Sequence, residues 1–385
     1  MEQEAPKEFY EYDPEKRALA KRYEKVKLIL EPISGTLVPI VASLGLLFSG
    51  YSTKLVQYFT TATGSYWATL ALYVIAFVIF LQLVEAPLSF YSGFIIDHSF
   101  HLSTQKAQDW LIDELKGLGI ATLFGVVAGL VVYYLIMATA LWWLAAAILF
   151  AAFSIMISII LPFVLLPIFY KVTPMTDSSL KDSLLQMSSK AGAKNMDRVL
   201  VADESKKSVR ANAFFSGIGG SKAIVLFDTL LNGFTRREVV TVVAHELGHY
   251  VNKDIWKEAV LSGLLAIPPF FLADYILRNW ASSLGLNGIA DPAGIPLIFA
   301  TLVGVNFIIQ PISNGISRVV ERQADEFALR AADDPEAQAS AERRLADLSL
   351  AADTPSRAVE VFFYTHPPSS RRIRLAEDWK KRNNK

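Results

Sequence analysis

Six stretches of the chain are long and apolar enough to cross a lipid bilayer: 32–51, 66–86, 118–138, 141–169, 259–277 and 295–316. A crossing needs about 20 mostly apolar residues. Inside lipid every backbone N–H and C=O must be paired within the segment, so each crossing has to be helical. That confines the fold to a polytopic helical bundle before any motif is considered. Composition agrees, with 52% apolar and only 19% charged residues, against about 25% charged in a typical soluble domain. Segment 141–169 exceeds one crossing, and its Pro162 and Pro167 predict a kinked or projecting end. A weaker stretch, 87–101, carries Asp97, His98 and His101 and reads as re-entrant or interfacial, its histidines not ligands. Trp142 and Trp143 read as an aromatic belt at the outer face.

Orientation follows from lysine and arginine, which favour cytoplasmic loops. Seven lie in the first 27 residues and many in 171–257. The connections 52–65 and 278–294 hold only Lys54 and Arg278, and 139–140 holds none. Six crossings would leave both termini in the cytoplasm. A seventh, at 87–101, would move the N-terminus outside and leave the rest unchanged. No cleavable signal peptide is expected, because about thirty residues of mixed charge precede the first apolar stretch. The expected organisation is a membrane domain of four or five spans (1–170), a cytoplasmic insert (171–257), two further spans (258–316) and a polar helical tail (317–385). The insert should contain strands at 197–203 and within 212–228, the latter two joined by a turn at Gly217–Ser221.

Lysine plus arginine (37) balance aspartate plus glutamate (37), which gives no footprint for nucleic acid. The chain has no cysteine, so any metal must be held by His, Asp or Glu. The candidate stretch is "TRREVVTVVAHELGHYV" (235–251). Thr235 and Glu238 form a capping-box pattern, and apolar residues follow at helical spacing. His245 and His249 are four apart on that helix and project from one face, the geometry two zinc ligands need. Glu246 is rotated by about 100°, where it can reach a metal-bound water without ligating the metal. A catalytic zinc site needs a third protein ligand. In "SRVVERQADEFALR" (317–330), Glu321 and Asp325 share a helix face. Glu321 could complete the set, and Asp325 could accept the free N–H of a ligand histidine. Alone, this stretch reads as an ordinary solvated helix.

These residues carry a resemblance. "HELGH" (245–249), "ERQADEFA" (321–328), "NAFFSG" (212–217), "IVLFDTLL" (224–231), "THPPSSRRIRL" (365–375) and "YSGFIIDHSFHLSTQ" (91–105) follow the order found in the integral-membrane CAAX prenyl endopeptidases of type 1. These are gluzincin zinc metalloproteases, and the resemblance covers nearly the whole chain. It implies one Zn²⁺ per chain on His245, His249 and Glu321, with Glu246 as catalytic base. It also implies six to seven membrane helices around a chamber that the zinc site faces, beside a small α+β metalloprotease portion. The family usually has seven spans, which favours a crossing at 87–101. His366, in the "HPP" of the late motif, is implied as an oxyanion donor. Arg372 would orient the site or bind a substrate carboxylate, and Arg318 would do likewise or anchor its span at the interface. Asn212 begins a strand whose edge could hold an extended peptide. The implied partners are the bilayer and a lipidated or membrane-anchored peptide, cut on the cytoplasmic side or in the chamber, in a bacterial inner membrane or the endoplasmic reticulum. Two alternatives stay open: a quality-control protease indifferent to prenylation, and a transporter or scaffold with a structural metal site.

Overall fold

The structure is a computed structural model that describes residues 6–193, 196–216 and 222–383, with residues 161, 162 and 216 described by backbone alone. Among these residues, six helices are long and apolar enough to cross a membrane. They are α1 (Pro14–Phe48), α3 (Tyr66–Ser99), α4 (Ala107–Ala138), α5 (Trp142–Ile160), α9 (Asp254–Trp280) and α10 (Ile295–Ala332). A shorter helix, α2 (Tyr51–Thr63), lies between left-handed Gly50 and Gly64, which reverse the chain at each end.

Segment 87–101 is not a separate crossing. It continues the helix that contains 66–86, through a π-helical turn at Phe90–Ile96 and on to Ser99. A helix of 34 residues is about 50 Å long, well beyond the ~30 Å hydrocarbon layer, so this part projects out of the bundle. Further π turns occur at Ile33–Leu37 and Leu161–Leu165. The π turns at Ile33–Leu37 and Phe90–Ile96 follow Pro32 and Pro87, whose missing N–H and ring clash loosen the i→i−4 ladder.

The N-terminus lies on the same face as the tail. Glu8 pairs with Arg237 at 3.1 Å, and Asp347 accepts from the Tyr10 hydroxyl and the Asp13 N–H, each at 2.8 Å. Both ends on one face fit six crossings. At the opposite face the connections bond to one another. Ser52 Oγ donates to Ala293 O, and the Tyr66 and Tyr133 hydroxyls donate to Ala290 O and Asp291 O. The expected aromatic belt is corrected here. Trp142 is fully buried, and its indole N–H donates to Asp274, which Arg278 also contacts at 2.8 Å. A buried indole N–H needs a partner, and the buried carboxylate supplies it. Trp143 is partly buried and packs on Phe271.

The bundle encloses a cavity of about 950 Å³ between α3, α4, α9 and α10, with Phe77, Tyr133, Phe270 and Asn306 in its wall. Among the described residues its wall includes none of His245, His249 and Glu321. His249 and Glu321 line a cleft with Glu246.

The insert forms a four-stranded sheet in the order β1-β2-β4-β3. The strands are β1 (Val172–Pro174), β2 (Arg198–Ala202), β3 (Ala213–Ser216) and β4 (Ala223–Phe227). β2 and β4 are parallel and the other pairs antiparallel. The expected turn at 217–221 lies outside the described residues. Central β4 is buried from Ala223 to Leu226. Ile224 and Leu226 meet Leu184 of α6 (Ser178–Lys190) on one face, while Val225 meets Leu166 and Phe214 on the other. A short helix, α7 (Asp228–Gly233), leads to α8 (Arg236–Val251). After α10 come α11 (Pro335–Leu348), α12 (Arg357–Phe363) and α13 (Ser369–Arg382).

Candidate metal centre

The site forms where α8 crosses α10. Thr235 caps α8 and Glu238 closes the capping box. Glu238 is also buried and meets Ser340 Oγ and Arg344, so the helix start is fastened to α11. At the crossing, a Cβ on Gly248 would lie 3.0 Å from Ala324 Cα and 3.2 Å from Phe327 Cβ. Only glycine permits that approach. It brings His245, His249 and Glu321 to one point, with one ligand atom of each within 4.8 Å of the others.

The separations fit a small tetrahedral cation. His245 Nε2 is 3.2 Å from His249 Nε2 and 3.2 Å from Glu321 Oε2, and His249 Nε2 is 3.5 Å from Glu321 Oε1. Ligand bonds of about 2.0–2.1 Å at the tetrahedral angle put ligand atoms about 3.3–3.4 Å apart. Glu321 Oε2 is buried and makes no hydrogen bond, a costly arrangement that a cation would relieve.

The outer nitrogens set the tautomers. His245 Nδ1 lies 2.9 Å from Asp325 Oδ1, and His249 Nδ1 lies 3.0 Å from Asp254 Oδ2. A carboxylate on Nδ1 makes that nitrogen the donor and leaves the Nε2 lone pair for the metal. Asp254 was not identified from sequence. It begins α9 immediately after Lys253, whose left-handed φ of 56° turns α8 sharply into the next span. Its only signal was an acidic residue five positions beyond His249.

Glu246 is half-buried, and burial holds its carboxyl above the ordinary carboxylate range. With His249 and Glu321 it lines a cleft of about 750 Å³. Ile155 and Ile159 from the end of α5, Phe214 and Phe215 from edge strand β3, and Trp256 from α9 are among the apolar residues of the wall. The cleft therefore lies between a membrane helix and the sheet.

His366 sits beside the ligands, its Nε2 3.2 Å from Glu321 Oε1, with a side chain 56% exposed. Arg318 donates to the carbonyls of Glu360 and Tyr364 at 2.9 and 2.6 Å, pinning the segment that leads into His366. Arg372 is buried between Asp325 and Glu342. The Asn212 side chain accepts from the Ala213 N–H at 2.8 Å. Arg318, Arg372 and Asn212 do not line the cleft around Glu246. Each of the three has partners within the protein, and the contact of Arg372 with Asp325 fits the orienting role expected of it. His98 bonds the carbonyls of Phe94 and Gln105.

Comparison with known proteins agrees with this geometry. Residues 174–380 match the model of peptidase family M48, and residues 1–171 match that of the CAAX prenyl protease N-terminal region, described as five membrane helices. The chain belongs to peptidase family M48. It is thus a multi-pass membrane metalloendopeptidase with a metal cofactor. The segment matching the N-terminal model contains five helices, α1 to α5, of which α2 has 13 residues, short of the ~20 a crossing needs. An uncharacterized metalloprotease of Bacillus subtilis (strain 168) is 29% identical over 94% of this chain and 86% of its own length. CAAX prenyl protease 1 of Saccharomyces cerevisiae is 32% identical, over 64% of this chain and 58% of that protein. A probable CAAX prenyl protease 1 of Schizosaccharomyces pombe is 31% identical, over 65% and 53%. The matches thus span little more than half of the two yeast proteins. The crystal structure of S. mikatae Ste24p superposes with a TM-score of 0.80 at 25% identity, covering 94% of this chain and 89% of that one.

Proposed function

We propose that this protein is a zinc endopeptidase that cuts lipidated or membrane-anchored peptides near their C-terminus on the cytoplasmic side. The observation that carries the reading is the three-atom convergence of His245, His249 and Glu321 beside Glu246. Two imidazoles and one carboxylate are a donor set of catalytic zinc. Zinc bound there supplies a water of lowered pKa and polarises the scissile carbonyl.

The chain's own residues do the remainder. Asp325 and Asp254 hold the two imidazoles in the tautomer that presents Nε2. Glu246 takes the water's proton and returns it to the leaving amine, a role suited to a carboxyl that burial makes more basic. His366 is placed to donate to the developing oxyanion. β3, the edge strand of the described sheet, would offer main-chain hydrogen bonds to an extended substrate. The cleft's apolar wall and its contact with α5 suit a peptide that arrives with a membrane anchor. The cytoplasmic assignment rests on the basic residues of 171–257, against Lys54 and Arg278 in the opposite connections.

The deciding experiment compares the wild-type protein with Glu246→Gln on a farnesylated peptide and its unprenylated counterpart. The variant should keep one zinc per chain and lose about 10²–10⁴-fold in cleavage rate. Wild-type turnover by a zinc-loaded Glu246→Gln protein would overturn the mechanism. Equal wild-type cleavage of the two peptides would remove the lipid from the substrate class.

A further inference from the structure

Behind His245 the structure holds a chain of charged groups that the reaction itself does not use. Arg372 Nε donates to Asp325 Oδ2 at 2.9 Å, and its NH2 group reaches Asp325 Oδ1 and lies 3.2 Å from His245 Nδ1. Two bonds to a single carboxylate leave one corner of the guanidinium unheld. That corner, NH1, lies 2.9 Å from Glu342 Oε2. Glu342 is 6% exposed and sits on α11, far from the cleft in sequence and absent from its wall.

We propose that Glu342 is a positioning residue for the metal-binding histidine: by holding NH1 of Arg372 it fixes the guanidinium plane, and Arg372 in turn fixes Asp325 against His245. The relay joins α11, α13, α10 and α8 through one buried fork. A planar guanidinium held at all three corners has a single orientation, whereas one held only by Asp325 can swing about that carboxylate. An Asp325 that swings loosens the Nδ1 bond that aims the His245 lone pair.

Charge gives the relay a second property. One arginine faces two carboxylates in a water-poor interior. The charged and titratable groups facing Glu342 are Arg372 from α13, Asp325 and Glu321 from α10, and His245 from α8. Burial, with Asp325 adding to it and Arg372 opposing, pushes Glu342 up to about 7. Ionised Glu342 shares the positive charge of Arg372 with Asp325; neutral Glu342 still accepts from NH1 but leaves that charge to Asp325.

The inference rests on the reading of His245 as a metal ligand, and the test separates the two. Zinc affinity of the full chain in detergent is measured by chelator competition from pH 6 to 8 for the wild type, His245→Ala, Glu342→Leu and Glu342→Gln. Glu342→Leu should bind zinc about 10-fold more weakly, the lower end for loss of an outer-shell partner. Glu342→Gln keeps an acceptor for NH1, so its affinity should stay near wild type while the part of the pH dependence centred near 7 disappears. In turnover, Glu342→Leu at saturating zinc should lower kcat and leave KM unchanged, because Glu342 touches no substrate. A Glu342→Leu protein with wild-type zinc affinity overturns the proposal, even if it melts earlier, since lost packing alone would lower only the melting temperature. If Glu342→Leu does not fold, wild-type zinc affinity in Glu342→Ala overturns it. Unchanged zinc binding by His245→Ala would instead overturn the ligand assignment.

Discussion

Asp254 Oδ2 lies 3.0 Å from His249 Nδ1. The two residues belong to different helices, α8 and α9, and only the tight turn at Lys253 brings them together. The contact mirrors that of Asp325 with His245 at 2.9 Å, so each histidine is steered by its own carboxylate. One of these comes from the helix that follows the motif, the other from a helix much later in the chain.

Asp254→Ala should therefore weaken zinc binding about 10–100-fold. Chelator competition on the purified protein measures this, with Asp325→Ala as the companion variant. Wild-type affinity in Asp254→Ala would mean that the carboxylate serves only its 2.8 Å bond with Lys257.

Gly248→Ala places a Cβ 3.0 Å from a backbone carbon of α10, and a backbone atom cannot swing aside. The helices must part by a few tenths of an ångström, at a cost of about 1–3 kcal/mol. Both the melting temperature and the zinc content should fall. A fully loaded Gly248→Ala protein of unchanged melting temperature would show that the crossing has slack.

Docking of residues 8–17 on α8 and α11 predicts one side for the N-terminus and the catalytic portion. In sealed vesicles of one orientation, a protease should cleave an N-terminal tag and a C-terminal tag together or spare both. Cleavage of one tag with protection of the other would require an odd number of crossings.

Glu342 also carries a stability prediction. Its folded value of about 7 stands above the ordinary 4.5, so between these values the folded state binds more protons than the unfolded one. Its contribution is then fully present below about 4.5 and is lost as pH rises through about 7. Wild-type melting temperature should fall more steeply than that of Glu342→Gln between about pH 5 and 8. Parallel curves would place the carboxyl's titration outside this range.

Much of the molecule was legible along the chain. Lipid forbids unpaired backbone groups, so apolar length alone marked six spans. The four-residue spacing of His245 and His249 marked half of a metal site through the period of the helix. The partner Glu321 was a candidate from its helix face with Asp325, but only the resemblance set it above an ordinary solvated residue, because an acidic residue on a polar helix has no distinguishing local pattern. Segment 87–101 was ambiguous because its polarity matched an interfacial turn as well as a helix end. Trp142 was misread because an indole near a helix end suits a headgroup as well as a buried carboxylate.

The sequence by itself determined the helical bundle, three of the four described strands of the insert (β1 was not expected) and the α8 face that carries the histidines, since each follows from local periodicity or from the solvent around a segment. Tertiary structure alone decided the rest. It made α10 at once a membrane helix and the carrier of Glu321, gave His249 the carboxylate of Asp254, and turned Arg318 and Arg372 inward. It also set Glu342 at the end of a relay reaching His245. The physical reason is distance: these groups act over about 3 Å, and while Asp254 reaches His249 through the turn at Lys253, the others come from helices far apart in sequence that only packing such as the Gly248–Ala324 crossing brings that close.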